Sequence, residues 1–108
     1  MSPSFTEAAP LFAALGDETR LRIVARLCAG GPMSIARLTA GSHISRQAIT
    51  KHLYALSQAG LVESARSGRE VIWRLEMKRL REVRAYLDRI SERWDTALLR
   101  LKAYVEDE

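Results

Sequence analysis

Residues 44–62 read "ISRQAITKHLYALSQAGLV", and this stretch decides the fold. Its apolar residues recur at the spacing of one helix face, as a stripe of Ile49, Leu53 and Leu56. Ser45 is placed to cap the start of a helix, and Gly60 is placed to end it. The segment therefore predicts a helix over about residues 46–59. Its other face carries Arg, Gln, Thr and Lys, which are residue types that contact DNA bases and phosphates.

The chain as a whole has the composition of one globular domain. It has 108 residues, of which 47% are hydrophobic and 28% are charged, a balance too apolar for a disordered chain. It contains no run of about 18 apolar residues, so we expect no membrane span. Its first ten residues show no secretory signal pattern. Cys28 is the only cysteine, which fits a reducing compartment, and we expect the protein in the cytoplasm.

Positive charge is concentrated in the middle of the chain. The net charge is +4. Between residues 19 and 74 there are nine Arg or Lys residues and two acidic residues, whereas the remainder has eight basic and eleven acidic residues. A basic segment of this kind suits a polyanion such as DNA. Charge alone leaves open the alternative of a solvated surface with no partner.

Caps and breaks along the chain predict the other elements. In chain order, the predicted helices and strands span residues 7–15, 18–29, 35–40, 46–59, 61–66, 70–75 and 76–105. Asp17 and Ser34 are placed to cap the second and third helices. The apolar positions of the second helix are Leu21, Ile23, Val24 and Leu27. The two strands are joined around Ser67-Gly68, where Gly68 supplies a positive φ. Residues 1–4 are predicted to be a loose end.

This order of elements predicts a mainly α fold with a small β-hairpin, namely a winged helix-turn-helix (α-α-α-α-β-β-α). Residues 1–108 then form a single domain with a core over about residues 7–75. Within it, the helix-turn-helix covers about residues 34–59 and the wing covers residues 61–75. A long helix over residues 76–105 completes the chain.

The last third of the chain has neither Pro nor Gly and carries a heptad seam. Its apolar residues recur at steps of three and four, at Leu80, Val83, Leu87, Ile90, Trp94, Ala97, Leu101 and Tyr104. A helix of this length is about 45 Å long, which is too long for one small domain to cover. We therefore predict that it pairs with a second copy of the chain. The alternative, a helix folded back on its own core, fits Leu80 and Val83 better than the residues beyond Leu87. The residues assigned to the dimer interface are Leu11, Phe12, Leu87, Ile90, Trp94, Ala97, Leu101 and Tyr104.

The polar face of the helix over residues 46–59 is predicted to contact double-stranded DNA. In a helix-turn-helix, the second helix enters the major groove with its N-terminal residues at the base edges. Arg46 can bond guanine and Gln47 can bond adenine, each through a pair of hydrogen bonds. The residues of this segment assigned to DNA are Ser45, Arg46, Gln47, Thr50, Lys51 and His52. A plain surface charge at Lys51 and a packed histidine at His52 are the alternatives.

The predicted wing adds two arginines at its tip. The sequence "ARSGRE" places Arg66 and Arg69 on either side of the glycine turn. Arginines at a hairpin tip reach phosphates or a minor groove. We therefore assign both to DNA, with a surface charge that contacts no partner as the alternative for Arg69.

Three segments of the chain resemble the ArsR/SmtB family of winged-helix repressors. They are "LFAALGDETRLRIVARL", "ISRQAITKHLYALSQAGLVESARSGREVIWRL" and the long final helix, which together span about residues 5–105. The motif D-x-T-R-x-x-I at residues 17–23 and the motif K-H-L-x-x-L-x-x-A-G-L-V at residues 51–62 are specific in combination. The resemblance implies a homodimer that represses from an inverted-repeat operator and releases it on a signal. The C-terminal segment resembles the branch of the family that lacks metal sites.

The residues that the family's metal sites need are missing at the matching positions. One site needs a Cys-x-Cys pair in "SIARLTA", residues 34–40, which contains no cysteine, histidine or acidic residue. The other needs a histidine on the final helix, which has Asp88, Glu92 and Asp95 but no histidine. The remaining soft ligands lie in three separate elements, at Cys28, His43 and His52. Because a transition metal needs three or four converging ligands, we expect neither a metal nor another cofactor.

Other functions compete with a metal-independent repressor. A thiol-switched repressor would act through Cys28, although lone cysteines are commonly buried and inert. A winged helix that binds another protein is a second alternative, and it would make the basic middle incidental. We do not expect an enzyme, because there is no phosphate-binding loop and no nucleophile with its base. An unknown small-molecule effector has no sequence signature here.

Overall fold

The computed structural model describes residues 5–107 and contains, over that range, five helices and one small sheet. In chain order they are α1 (Phe5–Leu15), α2 (Glu18–Gly30), β1 (Met33–Ser34), α3 (Ile35–Thr39), α4 (Arg46–Gln58), β2 (Val62–Ser67), β3 (Glu70–Leu75) and α5 (Met77–Glu106). The predicted winged helix-turn-helix is confirmed, with α3 and α4 as its two helices. Residues 1–4, predicted to be a loose end, and residue 108 lie outside the described range.

Side chains cap three helices at the positions that the sequence predicts. Asp17 Oδ2 accepts from the Arg20 amide at 3.0 Å at the start of α2. Ser34 and Ser45 do the same for α3 and α4, each accepting from the amide three residues on. Such caps satisfy amides that the first turn of a helix leaves without a partner. Gly60, with φ of 76°, follows the last turn of α4 and lets the chain leave it.

The sheet has three strands in the order β1-β3-β2, one more than the predicted hairpin. Met33 and Ser34 pair antiparallel with Trp73 and Ile72 of β3. A strand of two residues is too short to show alternation in a sequence, so only its pairing reveals it. The hairpin turn also lies one residue later than predicted. Ser67 pairs with Glu70, so the turn residues are Gly68 and Arg69.

The core forms where α1, α2, α3, α4 and the sheet meet. Its buried side chains are Leu11, Ala14, Ile23, Leu27, Met33, Leu38, Ile49, Leu53, Leu56, Leu61, Val62, Trp73 and Val83. Leu53 and Leu56 of α4 are 0% exposed. Full burial of one leucine is worth roughly 1.5–3 kcal/mol relative to exposure, so α4 is a central part of the core.

One apolar position of α2 does not reach the core. The sequence groups Leu21 with Ile23 and Leu27, but Leu21 is exposed. Ile23 and Leu27 are four residues apart and share the inner face of the helix. Leu21 lies about 200° around the helix from Ile23, which turns its side chain away.

α5 packs on its own domain only through its N-terminal part. Val83 is buried, Leu80 packs against the core and α1 contacts this part of α5, as the seam analysis favours for Leu80 and Val83. Every described residue from 87 onward is exposed. The helix therefore extends beyond the rest of the domain, and the chain including α5 measures 69 Å along its longest axis.

Leu11 does not fit its assignment to the dimer interface. It is only 2% exposed, because α1 packs against α2, α4 and α5 and holds this side chain within the core of its own chain. Phe12 is partly buried and packs its ring against Tyr86, with 5.6 Å between ring centroids. Of the two α1 residues, only Phe12 retains surface for a partner.

Candidate nucleic-acid interface

The orientation of α4 follows from its buried stripe. Ile49, Leu53 and Leu56 are all buried, as the sequence predicts. These positions fix the rotation of the helix about its axis, because any other rotation would expose large side chains to water. The face at Gln47 and Lys51 is therefore held outward.

The first turn of α4 presents polar groups to solvent. The side chains of Ser45, Arg46, Gln47 and Lys51 are exposed. The Ser45 hydroxyl oxygen accepts from the Ala48 amide at 3.1 Å. Helix geometry leaves the preceding amides, those of Arg46 and Gln47, without an intrahelical partner. This turn can therefore offer backbone N–H groups as well as side chains to an anion.

Thr50 and His52, both assigned to DNA from the sequence, have partners within the domain. The Thr50 hydroxyl donates to the Arg46 carbonyl at 2.8 Å, which leaves its methyl group and an oxygen lone pair for another molecule. His52 is mostly buried, with Nδ1 lying 3.7 Å from Oδ2 of Asp17. The surroundings of His52 therefore fit the alternative of a packed histidine. The residue links α4 to the start of α2.

The basic side chains of the middle segment fall into two groups. Four bond within the domain, namely Arg20 to the Ala14 carbonyl, Arg22 to Glu18, Arg26 to the Leu38 carbonyl and Arg74 to Glu63. Five others form no ion pair or side-chain hydrogen bond within residues 5–107, namely Arg37, Arg46, Lys51, Arg66 and Arg69. The structure thus separates basic side chains that have partners within the domain from basic side chains that are available to a polyanion.

The wing tip carries two of the available arginines. Gly68, the first turn residue, has a φ of 63°. Arg69, the second, does not have a positive φ, since only glycines do in the described chain. This combination is typical of a type II′ turn. Arg69 occupies the second turn position, and Arg66 lies across from Val71 in the hairpin. Both arginines are exposed. They lie on a different element from α4, so the candidate surface has two separate parts.

Arg37 is a further candidate that the sequence analysis did not assign. It is exposed on α3, the first helix of the helix-turn-helix, and its guanidinium has no partner within residues 5–107. The first helix of this motif crosses the DNA backbone, so an arginine there suits a phosphate. The excess of basic residues in the middle of the chain was the available signal, and it did not distinguish Arg37 from the arginines that bond internally.

The cap of α2 at Asp17 makes stability depend on pH. The Arg20 amide, which donates to the Asp17 carboxylate, holds the pKa of Asp17 below its ordinary value of 3.8, and the charge of a protonated His52 acts in the same direction. A carboxylate with a lowered pKa contributes stability above the ordinary value, and that contribution is lost as the pH falls through the folded-state value.

We expect Asp17→Asn to flatten the acid side of the stability curve. Asn caps helices as well as Asp does, so the variant should fold, but it has no charge to lose. Thermal unfolding of parent and variant, followed by circular dichroism from roughly pH 6 to pH 2, should show the two midpoints converging as the pH falls. Parallel curves over that range would show that the Asp17 charge contributes nothing.

A second exposed surface lies on α5. Its large apolar side chains are exposed along the predicted seam, at Leu87, Ile90, Trp94, Leu101 and Tyr104. Trp94, the largest of these side chains, is 65% exposed. At the N-terminal end of the seam, Phe5 and Phe12 pack on Tyr86 and extend the apolar surface onto α1. Exposed large apolar side chains that lie together are typical of interaction surfaces, so this one is a candidate for contact with a partner.

The next features are the possible metal ligands, the cysteine and the helix lengths of the described residues. Within residues 5–107 no three His, Cys, Asp or Glu side chains lie close enough to hold a metal ion. Cys28 is exposed rather than buried, and it is the only cysteine of the chain. Over the same residues, no helix has the length and apolar character that would let it cross a bilayer.

Comparisons with known proteins agree with this geometry. A family model described as a helix-turn-helix domain matches residues 15–65. The HTH-type transcriptional regulator Rv2034 of Mycobacterium tuberculosis (strain ATCC 25618 / H37Rv) is 35% identical over 95 residues, 88% of this chain and 85% of that protein.

Solved structures are similar over nearly the whole chain. An ArsR-like transcriptional regulator from Rhodococcus sp. RHA1 superposes with a TM-score of 0.78 at 42% identity, over 91% of this chain and 92% of that one. The transcriptional repressor BigR from Xylella fastidiosa gives a TM-score of 0.62 at 30% identity, over 74% of this chain and 82% of that one. The similarity therefore includes the helix-turn-helix, the wing and much of α5.

Proposed function

Because the chain belongs to the ArsR-like family of winged helix-turn-helix transcriptional regulators, we propose that it is a homodimeric, sequence-specific repressor that needs no metal. In this proposal α4 lies in the major groove and the wing lies on the flanking backbone or minor groove. The protein acts on DNA in the cytoplasm and catalyses no reaction.

The main support for this proposal is the contrast between the two faces of α4. Its inner face is buried in the core, whereas the side chains of Arg46, Gln47 and Lys51 are exposed and have no hydrogen-bond or ion-pair partner within residues 5–107. Arg46 and Gln47 are the residue types that discriminate guanine and adenine, and Lys51 suits a phosphate. Arg66 and Arg69 at the wing tip add backbone contacts away from the helix.

The exposed seam of α5 supports a homodimer. A second copy would cover Trp94 and its apolar neighbours with the same surface, related by a two-fold axis. Two recognition helices related by such an axis fit an operator whose half-sites form an inverted repeat. The solved repressor among the similar structures makes repression the expected outcome of binding.

Metal independence and the effect of oxidant are separate parts of the proposal. The matching positions of α3 and α5 lack the ligand residues of the family's metal sites, and no cluster of three potential ligands is present within residues 5–107. The exposed thiol of Cys28 gives the thiol-switched alternative an accessible group. The test is operator binding by the variant Cys28→Ser with and without hydrogen peroxide. If peroxide still changes the operator affinity of this variant, the thiol-switched alternative is excluded.

Fluorescence anisotropy against the DNA upstream of the protein's own gene tests the proposal directly. We expect saturable binding that survives an excess of unrelated duplex, with two protomers per site. A protein-binding module would instead show weak, sequence-blind binding that disappears as salt rises. That result would overturn the proposal.

We expect Gln47→Ala to weaken operator binding by about 1–3 kcal/mol and to relax the choice of base at one position of each half-site. The substitution removes a bidentate donor and acceptor pair but leaves the helix and its cap intact. Anisotropy titrations against operators with each of the four bases at successive positions would locate the effect. Equal affinities for parent and variant across that set would show that Gln47 reads no base.

Lys51→Ala serves as the contrasting prediction. Lys51 contacts a phosphate in this proposal, so its loss should weaken binding to operator and unrelated DNA by the same factor. The slope of log affinity against log salt concentration should fall by roughly one per protomer. A change in base preference with an unchanged salt slope would contradict this assignment.

A further inference from the structure

A cleft lies between α2 and the turn that joins α3 to α4. Its volume is about 590 Å³, and small-molecule sites commonly have volumes of roughly 300–1,000 Å³. None of its lining residues belongs to the proposed DNA contacts or to the apolar seam of α5. The cleft is therefore a third surface, which the functions proposed above do not use.

The lining of the cleft combines an apolar part with a charged one. Hydrocarbon side chains come from α2, α3, the turn and α4, at Ile23, Leu38, Ile44 and Ile49. Charged or titratable side chains lie at Glu18, Arg22, Arg26 and His43. A site of this composition suits a ligand with a compact apolar body and a polar end.

The charges that line the cleft do not cancel. Arg22 pairs with Glu18 at 2.8 Å, which neutralises both. Arg26 donates one hydrogen bond to the Leu38 carbonyl at 2.8 Å and has no acidic partner within residues 5–107. Its remaining N–H groups carry an uncompensated positive charge. The polar end of a suitable ligand is therefore an anion.

We propose that this cleft binds a small organic carboxylate with an apolar body and that its occupancy weakens DNA binding; the second part rests on the proposed function. Ile44 lies two residues before Arg46, so the occupant contacts the segment that starts the recognition helix. A carboxylate there would neutralise Arg26 and so remove one positive charge from the side of the domain that carries the start of α4. Loss of that charge should weaken the attraction of the domain for DNA phosphates.

Binding can be tested without DNA. The probe is 4-phenylbutyrate, and the matched control is 4-phenylbutanamide, which has the same apolar body without the charge. We expect the acid to shift the ¹⁵N–¹H signals of Gly41, Ser42 and His43 of the full-length protein at millimolar concentration, and the amide to do so at least about tenfold more weakly. Shifts confined to residues of α5, or no shifts, would overturn the site.

Two substitutions on α2 separate the cleft from the rest of that helix. Both alanines are exposed on the same helix, but Ala25 lines the cleft and Ala29 does not. Ala25→Leu should reduce the affinity for the acid about tenfold by filling space, and Ala29→Leu should leave it unchanged. Arg26→Gln should reduce the preference for acid over amide to about one. Equal effects of the two leucine substitutions would contradict the site.

The regulatory part is read from operator affinity at saturating 4-phenylbutyrate. We expect the dissociation constant of the operator to rise about fivefold in the parent, and the probe concentration that gives half of this rise to be about tenfold higher in Ala25→Leu, with reciprocal loss of probe affinity when DNA is bound. Probe binding at the cleft without any change in operator affinity would overturn the regulatory part only. Failure of the parent to bind its operator in the absence of probe would count against the proposed function and would leave the binding test standing.

Discussion

Trp94→Glu should make the protein monomeric, by disrupting the proposed dimer, and should remove most of its operator affinity. Trp94 is 65% exposed in the single chain and lies on the seam of α5, so it would occur twice in the proposed two-fold interface. Buried aromatic anchors at the centre of an interface contribute roughly 2 kcal/mol or more each, and a buried carboxylate adds a desolvation cost. We expect the dimer dissociation constant to rise at least about hundredfold.

Leu99→Glu is the matched control for this experiment. Leu99 is 67% exposed and lies five residues further along the same helix, about 140° around it from Trp94 and off the seam. Sedimentation velocity over a range of protein concentrations should show a monomer for Trp94→Glu and a parental dimer for Leu99→Glu. Dimers of parental strength in both variants would show that α5 does not form the interface.

Operator binding by the same variants connects assembly to function. A monomer can contact only one half-site, so its affinity should approach the value for a single half-site duplex. Leu99→Glu should bind the full operator like the parent. Full operator affinity in a variant that is demonstrably monomeric would show that a single recognition helix and wing suffice.

Leu53→Ala should destabilise the domain by about 2–5 kcal/mol, a large fraction of the stability of a chain of this size. Leu53 is 0% exposed, and it lies in the core beside the residues that hold α4 against α2 and α3. The truncated side chain leaves a cavity that the surrounding helices fill only in part. Because the residue has no exposed surface, the effect on DNA should follow entirely from loss of folded protein.

Urea unfolding at equal protein concentration measures this effect. Equal concentration matters because a dimer gains apparent stability as its concentration rises. Ser57→Ala, an exposed position on the same helix, should change the free energy of unfolding by no more than about 0.5 kcal/mol. A similarly small change for Leu53→Ala would show that the packing of α4 contributes little to stability.

Much of the fold follows from local features of the sequence. The caps at Asp17, Ser34 and Ser45 each depend on residues within one turn of one another, and the stripe along α4 shows as helical spacing within one segment; all of them are confirmed. The pattern that specifies each of these features is therefore contained in one short stretch of sequence.

Features that depend on distant parts of the chain were predicted less well. The strand at residues 33–34 is defined only by its pairing with β3, about 40 residues later, and Leu21 matches the helical spacing while its side chain points away from the core. Leu11 is apolar on a short helix, and only the packing of α1 between three other helices shows that its own chain covers it. Apolar spacing does not indicate which neighbour an apolar side chain meets.

The candidate site shows the same division. The sequence identified the outward face of α4 and the wing arginines, and these remain proposed DNA contacts. It could not separate Arg20, Arg26 and Arg74, which bond within the domain, from Arg37, whose side chain has no partner within residues 5–107. The distinction depends on carbonyls and carboxylates that tertiary structure brings close. The cleft beside α2 is likewise formed by three helices and a turn, and the sequence of no single one of them indicates it.

The pairing of β1 with β3 has a mechanical consequence. Ser34 is at once the last residue of that strand, opposite Ile72, and the cap of α3, so a single residue belongs to both the sheet and the helix-turn-helix. No linker separates them, so we expect the base of the hairpin and the start of α3 to move together. Any displacement of the hairpin that leaves the β1–β3 pairing intact should also displace α3.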